Sequence, residues 1–258
     1  MLDSTQRFST RVENYIRYRP GYPREIIEML KTNYGLNTES IIADVGSGTG
    51  ILSELFLKAG NRVFGIEPNP EMRQAGERLL KSFPGFTSIS GTAEETTLPD
   101  DSVDFITAGQ AFHWFDAVRT RQEFRRILRP GGWVVLVWND RRTDSTAFLA
   151  GYEQLLRDYA TDYDQVNHKR IDASTLRDFF KAEPDTKTFS NVQHFDLDSL
   201  RGRLLSSSYA PDIGQPGHAE MMEALRRLFE AHQTEGRVTF EYDTVVHCGR
   251  LEAITHRA

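Results

Sequence analysis

The chain predicts an α/β fold: a doubly wound sheet of seven strands, mostly parallel, with an antiparallel last strand. Three observations predict it. Between Ile41 and Trp138 short apolar strands alternate with helical segments five times, the pattern of a parallel sheet clothed by helices. The fifth of these strands, Trp133–Trp138 (WVVLVW), is apolar without a break, as a strand covered on both faces must be. Arg237–His247 (RVTFEYDTVVH) alternates apolar and polar residues well outside the repeating units, which suits a last strand paired antiparallel with its predecessor.

Taken in order, Phe8, Val12, Tyr15 and Ile16 fall at helical spacing, so a short helix is expected over Ser9–Arg17. Tyr18-Arg19-Pro20-Gly21-Tyr22-Pro23 ends it, because each proline biases its predecessor away from helix. A helix through Glu25–Asn33 stops at Gly35. Ile41–Val45 is the first strand and Ile51–Ala59 the helix after it, with Gly60 placed to end that helix in left-handed backbone. Arg62–Glu67 (RVFGIE) is the second strand. Asn69-Pro70-Glu71 then supplies an N-cap, a first-turn proline and an early carboxylate to a helix running to about Ser82. Thr87–Ser90 is the third strand and Val103–Ala108 (VDFITA) the fourth. Asp116 caps a helix through Ile127, and Arg129-Pro130-Gly131-Gly132 makes the turn into the fifth strand.

From Asn139 the alternation stops. Helices are expected over Thr146–Tyr159 and Ser174–Phe180, with the polar stretch Asp162–Asp172 between them, so this part reads as a cap and not as another strand–helix unit. Thr188–Leu197 is strand-like; Asp198–Ser208 and Gly217–Glu235 are helical. The expected organisation is therefore leading helices over residues 1–35, a core of alternating strands and helices over 36–138, a helical cap over 139–186, and completion of the sheet over 187–258.

Composition narrows the partners. With 258 residues, 39% hydrophobic and 26% charged, the chain can bury a full core. A net charge of −6 gives no global positive field to collect phosphate backbones, so no nucleic-acid partner is expected. The single cysteine, Cys248, excludes an internal disulfide and a cysteine-based zinc cluster, and no His/Asp/Glu group stands at ligand spacing, so no metal is expected. Without an apolar leader or a membrane-length run, the expectation is a cytoplasmic monomer or homodimer with no membrane partner.

The chemistry centres on Ile41–Gly50 (IIADVGSGTG), an apolar strand, a glycine-rich turn and the start of a helix. NAD, FAD and other nucleotide folds share such a turn, and spacing separates them. A dinucleotide fingerprint, G-x-G-x-x-G, would need its third glycine at Ile51; here the glycines are Gly46, Gly48 and Gly50. Asp44, two residues before the first of them, would repel a pyrophosphate and suits a cationic ligand. Glu67 ends the second strand about twenty residues on, where an acid can accept ribose hydroxyls.

The run D-x-G-x-G-x-G resembles the first motif of the class I S-adenosylmethionine-dependent methyltransferases, a Rossmann-like family. The resemblance implies S-adenosyl-L-methionine as cofactor. Gly46, Gly48 and Gly50 would lie along its methionine part and Glu67 on its ribose, with Pro68, Asn69 and Met72 beside that acid. Gly91-Thr92-Ala93-Glu94 resembles the segment laid along the adenine, which Ala93 would reach by its backbone and Glu94 by its side chain. Gly109, Gln110 and Trp114 belong to the segment that the family places by the reactive methyl, with Trp114 packing under the cofactor. The chain looks closest to the small-molecule branch that includes trans-aconitate methyltransferase. There the leading helix folds over the cofactor as a lid, Arg19 would meet the methionine carboxylate, and Tyr15 or Tyr18 would line the pocket; a surface arginine beside a proline turn is the other reading.

In such a transfer the protein mainly positions the acceptor and shields it from water. His113 is the candidate catalytic residue, as a base or a substrate contact, with a loop-holding histidine as the alternative. Arg141 and Arg142, directly after the fifth strand, could clamp an anionic substrate such as a carboxylic acid or stay solvated. Tyr209, after Ser206-Ser207-Ser208, could reach the same acceptor. His168 reads as surface and Arg226-Arg227 as part of an outer amphipathic helix. GQAF after the fourth strand is not the Asn/Asp-Pro-Pro-Tyr of DNA amino-methyltransferases, and Cys248 is not in a Pro-Cys context, so both DNA-methylating readings fall. Two other classes stay open: an NAD-dependent oxidoreductase, against which Ile51 and the lack of a tyrosine–lysine pair speak, and a non-catalytic S-adenosylmethionine-binding protein.

Overall fold

The computed structural model describes residues 12–160, 163, 172–207 and 209–251, leaving aside the side chains of Val12 and Tyr15. Phe8, His168 and Ser208, named above, lie outside the described residues. The elements in chain order are α1 (Val12–Tyr18), α2 (Glu25–Tyr34), β1 (Ile41–Val45), α3 (Ile51–Lys58), β2 (Arg62–Ile66), α4 (Pro70–Leu80), β3 (Phe86–Ile89) and β4 (Val103–Gly109). A 3-10 turn (Phe112–Trp114) follows, then α5 (Ala117–Ile127), β5 (Leu128–Arg141), α6 (Ala147–Tyr159), α7 (Ala173–Phe180), β6 (Asp185–Phe195), α8 (Leu197–Leu205), α9 (His218–His232) and β7 (Val238–Gly249).

The seven strands form one sheet in the order β3-β2-β1-β4-β5-β7-β6, with β3, β2, β1, β4 and β5 parallel and the last strands antiparallel. The chain divides into two compact units. The first comprises Tyr22–Trp138, Ile171–Phe189 and Thr244–Ala258; the second comprises Met1–Gly21, Asn139–Arg170 and Ser190–Asp243. Helix α7 falls in the first unit and α6 in the second.

In the first unit the parallel strands show the two-residue alternation of side chains. Ala43 and Val45, Ile106 and Ala108, and Val134 and Leu136 face one cluster with Phe124 and Ile127 of α5 and Phe179 and Phe180 of α7. Ile42, Phe105, Val135 and Val137 face the other, with Ile26 and Leu30 of α2 and Leu52 and Phe56 of α3. Helices thus cover both faces, which is why β5 needs no polar side. Each fully buried Leu, Ile or Phe here contributes roughly 1.5–3 kcal/mol. Arg121 of α5 fastens α7 by donating from Nε to the Phe179 carbonyl at 2.7 Å.

The capping signals work as their chemistry requires. Asn69 Oδ1 accepts from the Met72 N–H at 2.9 Å, with Pro70 at the first helical position. Asp116 Oδ1 accepts from Val118 and Arg119. Gly35 closes α2 at φ +75° and Gly60 follows α3 at φ +94°. Two boundaries differ from expectation. Strand β5 begins at Leu128, not Trp133: Leu128 pairs with Val103, and the RPGG turn is a bulge before pairing resumes at Trp133 opposite Phe105. Helix α9 stops at His232, short of Glu235, because Thr234–Arg237 makes a turn with Glu235 at φ +52° and the Gly236 N–H donating to Gln233 Oε1.

The second unit packs α6, α8 and α9 around Phe148, Tyr152, Leu156, Leu204, Leu225, Phe240 and Tyr242. Helix α1 joins it through Tyr18, whose ring lies against Gly202 in space that a Cβ there would fill. Among the described residues no helix is long and apolar enough to cross a membrane, and no group of three or more His, Cys, Asp or Glu is placed to hold a metal ion. Cys248 is buried, and burial pushes its thiol up to about 12, so it stays a packing group.

Candidate active site

The glycine turn is built by left-handed backbone at every second position: Gly46 at φ +67°, Gly48 at +57° and Gly50 at +86°. The three glycines are not equivalent. A Cβ on Gly46 would stand 2.6 Å from Ala111 Cβ and 3.3 Å from the Phe115 ring, and one on Gly50 would stand 2.5 Å from Leu80 Cδ1. Both serve close packing. A Cβ on Gly48 would meet the tip of Met72 alone within 4 Å, at 3.3 Å, so Gly48 presents backbone to open space. Helix α4 comes equally close: a Cβ on Gly76 would lie 3.3 Å from the Gly48 carbonyl oxygen.

Two carboxylates organise the turn. Asp44, 1% exposed, accepts from Ser53 Oγ at 2.6 Å and from Thr107 Oγ1 at 3.0 Å, which ties β1 to α3 and β4. Burial raises its pKa to about 6, against the lowering effect of those hydroxyls. At 1% exposed, its place is beneath the turn and not on the turn's surface. Glu67 accepts the Gly48 N–H on Oε2 and the Asn69 N–H on Oε1, each at 2.8 Å. Burial raises its pKa as well, opposed by those two N–H groups and by Arg73. Each Glu67 oxygen keeps one lone pair for a further donor.

This arrangement decides between ligands. The Gly46 and Ser47 N–H groups donate to the Ile66 carbonyl, and the Gly48 N–H to Glu67. A pyrophosphate needs such N–H groups free and a site without anions; here the three are engaged, and two acids stand within the turn. A cationic, hydroxyl-bearing nucleoside fits the donor set. The buried Thr49 Oγ1, 1% exposed, has no hydrogen-bond partner among the described residues.

The other sequence candidates of the first unit gather by traceable contacts. Pro68, half-buried, links Glu67 to Asn69. Ala93 is buried, and Glu94 Oε1 accepts the Asp116 N–H at 2.8 Å, which ties the loop after β3 to the start of α5. That bond engages the side chain expected to reach the adenine. Gln110 takes φ +55° and donates its N–H to the Val137 carbonyl. His113 and Trp114 are half-buried, their rings 4.8 Å apart; Phe115 and Ala111, not Trp114, lie against Gly46. Sequence reasoning passed over Tyr22. A Cβ on Gly109 would stand 2.5 Å from its Oη, so Gly109 is the residue that admits this phenol.

In the second unit the candidates separate. Arg19 donates from Nη2 to the Ser206 carbonyl at 3.0 Å, and Tyr18 packs on Gly202. The expected clamp of Arg141 and Arg142 does not form, because consecutive positions at a strand end point to opposite sides. Arg141 turns inward, 11% exposed, onto Glu153 at 2.6 Å and the Tyr163 hydroxyl at 3.3 Å. Arg142 turns outward, 42% exposed, onto Asp243 at 2.7 Å and Glu241 at 3.7 Å. Tyr209 stays with Arg141 through Tyr163, whose ring centre is 5.1 Å away.

Comparisons with known proteins agree with this geometry. Residues 43–136 match the family described as "Methyltransferase domain". An uncharacterised methyltransferase of Mycobacterium tuberculosis is 39% identical over 139 residues, 54% of each chain, so the match spans about half the length of that relative. One from Bacillus cytotoxicus is 30% identical over 164 residues, 60% of this chain and 73% of the relative. A solved structure from Anaeromyxobacter dehalogenans, assigned as a type II methyltransferase, superposes with a TM-score of 0.68 at 24% identity, covering 91% of this chain and 98% of the other; at that identity it shows the fold alone. From the sheet order, the acidic glycine turn and these matches together, the chain belongs to the class I S-adenosylmethionine-dependent methyltransferase family.

Proposed function

We propose that the chain transfers a methyl group from S-adenosyl-L-methionine to a small-molecule acceptor. One observation carries the choice of donor: Glu67 occupies the Gly48 N–H from inside the turn. That bond removes the donor a pyrophosphate would need and leaves carboxylate lone pairs for ribose hydroxyls. When bound, the cofactor supplies an activated methyl and its own leaving group.

The residues around the turn then divide the work. Glu67 holds the ribose, positioned by Gly48 and Asn69. Gly48 lets backbone approach the methionine part, and Asp44 braces the turn and adds negative potential beneath it. Ala93 lines the adenine. Gln110, His113 and Trp114 stand on the segment that the family sets by the reactive methyl, where His113 contacts the acceptor or takes its proton. An acceptor carboxylate, as in the branch the sequence resembles, needs no base, only cations to hold it.

The test is transfer of label from methyl-labelled S-adenosylmethionine to a panel of small acids, amines and phenols, run beside nicotinamide absorbance with the same panel. Label transfer that His113→Ala slows by 10²-fold or more gives His113 a place in the chemistry. Nicotinamide turnover without label transfer would replace the proposal with a dehydrogenase.

A further inference from the structure

We propose that the second unit contains a binding site for a small organic monocarboxylate, built from Arg141, Arg203 and Tyr152. As the naming of a substrate class this rests on the methyl-transfer reading; as a statement about binding it does not.

The core of this unit is aromatic and aliphatic, and two guanidiniums enter it. Arg141 reaches in from the end of β5, with its Cζ 5.0 Å from the centre of the Tyr152 ring and 5.9 Å from that of Phe240. Arg203 comes from α8, is 6% exposed, and places its Cζ 5.9 Å from the same Phe240 ring. One phenylalanine ring therefore has two cations 5.9 Å from its centre, from positions 62 residues apart in the chain.

Their compensation is incomplete. Glu153 accepts from Arg141 at 2.6 Å, but its other oxygen is shared with the exposed Arg157 at 3.5 Å. Arg203 donates from Nη1 to the hydroxyls of Ser206 at 3.4 Å and Ser207 at 3.2 Å and has Tyr242 as a further hydrogen-bond partner; none of these partners among the described residues is a carboxylate. The tyrosines do not supply the missing charge, because burial raises the pKa of Tyr152 and Tyr163 and keeps both as neutral phenols. Two buried cations against one carboxylate leave the cluster with one positive charge.

Donors remain as well as charge. Arg141 Nη1, Arg203 Nε and Tyr152 Oη are all buried and have no hydrogen-bond partner among the described residues. Buried polar atoms are nearly always paired, and a buried guanidinium is tolerated only when its donors are satisfied. Apolar residues of similar volume usually serve a core as well or better, so packing alone does not account for two arginines here. A planar anion that accepts from guanidinium N–H groups and phenols is the chemistry such donors call for, and the carboxylate has that geometry. The single net charge matches a monocarboxylate, whereas a phosphate dianion would overfill it beside Glu153.

The experiment is calorimetry on the full chain with acid and amide pairs of equal shape: crotonate and crotonamide, benzoate and benzamide. Inorganic phosphate is titrated in parallel and S-adenosylhomocysteine in a separate arm. At least one acid should bind saturably and ten-fold or more tighter than its amide. Arg203→Met and Arg141→Met should each remove that preference and leave S-adenosylhomocysteine affinity within two-fold of wild type. Thermal melts supply the second readout: Arg203→Met should unfold at a temperature no lower than wild type, and the acid should raise the wild-type midpoint only. Equal or absent binding of acid and amide by wild type would overturn the proposal, as would preference for phosphate or a large drop in the Arg203→Met midpoint. Failure of the S-adenosylhomocysteine arm alone would strike the methyl-transfer reading and leave this site standing.

Discussion

The glycine turn of the first unit and the arginine cluster of the second are opposite solutions to burying charge. The turn is acidic, and its acids are satisfied: Asp44 by two hydroxyls, Glu67 by two backbone N–H groups. The cluster is basic, and three of its donors are orphaned. The glycines of the turn are neighbours in sequence, whereas the cluster takes Arg141, Tyr152 and Arg203 from three separate elements. The difference teaches that a satisfied carboxylate beneath a ligand surface acts as scaffold and field, while orphaned donors in an apolar core mark where a ligand completes the structure.

The comparison can be broken most forcefully at Gly46. Alanine there places a Cβ 2.6 Å from Ala111 Cβ at a positive φ, so Gly46→Ala should cost about 3 kcal/mol or more of stability by urea denaturation. A mild loss would mean the turn is looser than its contacts imply.

Glu67→Ala comes next. It should weaken S-adenosylhomocysteine binding by roughly 1.5–3 kcal/mol by calorimetry, and it strands the Gly48 and Asn69 N–H groups. Unchanged affinity would remove Glu67 from the ribose.

Gly48→Ala sharpens the contrast among the glycines. Its Cβ meets Met72 alone within 4 Å, so the stability loss should be the about 1–2 kcal/mol of the left-handed backbone, while cofactor affinity falls much further. Equal losses in folding and binding would make Gly48 another packing glycine.

The last effect is on a slope. Asp44 is raised from 3.8 to about 6, so the folded state binds a proton more readily than the unfolded chain. The stability it contributes is full below about pH 4 and is lost as pH rises through 6. Asp44→Asn should flatten the fall of unfolding free energy between those values; an unaltered profile would show that another group titrates there.

What could be read from the sequence follows from the same comparison. The turn, the Asn69-Pro70 start and the Asp116 cap were legible because each is a contiguous string whose chemistry acts within a few residues. Tyr22 against Gly109, Gly76 against Gly48, and Arg203 and Arg141 against the one Phe240 ring were not, since each pairing is made by packing elements remote in the chain. Arg141 was singled out for its position after β5, but its expected partner, Arg142, is the neighbour that strand geometry sends the other way. Helix α7 was foreseen from its own residues, yet its membership of the first unit depends on Phe179 and Phe180 meeting Phe124, which no local signal carries.

The central claim is that an acidic glycine turn selects a cationic nucleoside over a dinucleotide. Calorimetric titration of the wild-type chain with S-adenosylhomocysteine and, separately, with NADH tests it most directly. Saturable one-to-one binding of S-adenosylhomocysteine with no heat from NADH is the predicted result. Binding of NADH with none of S-adenosylhomocysteine would contradict it.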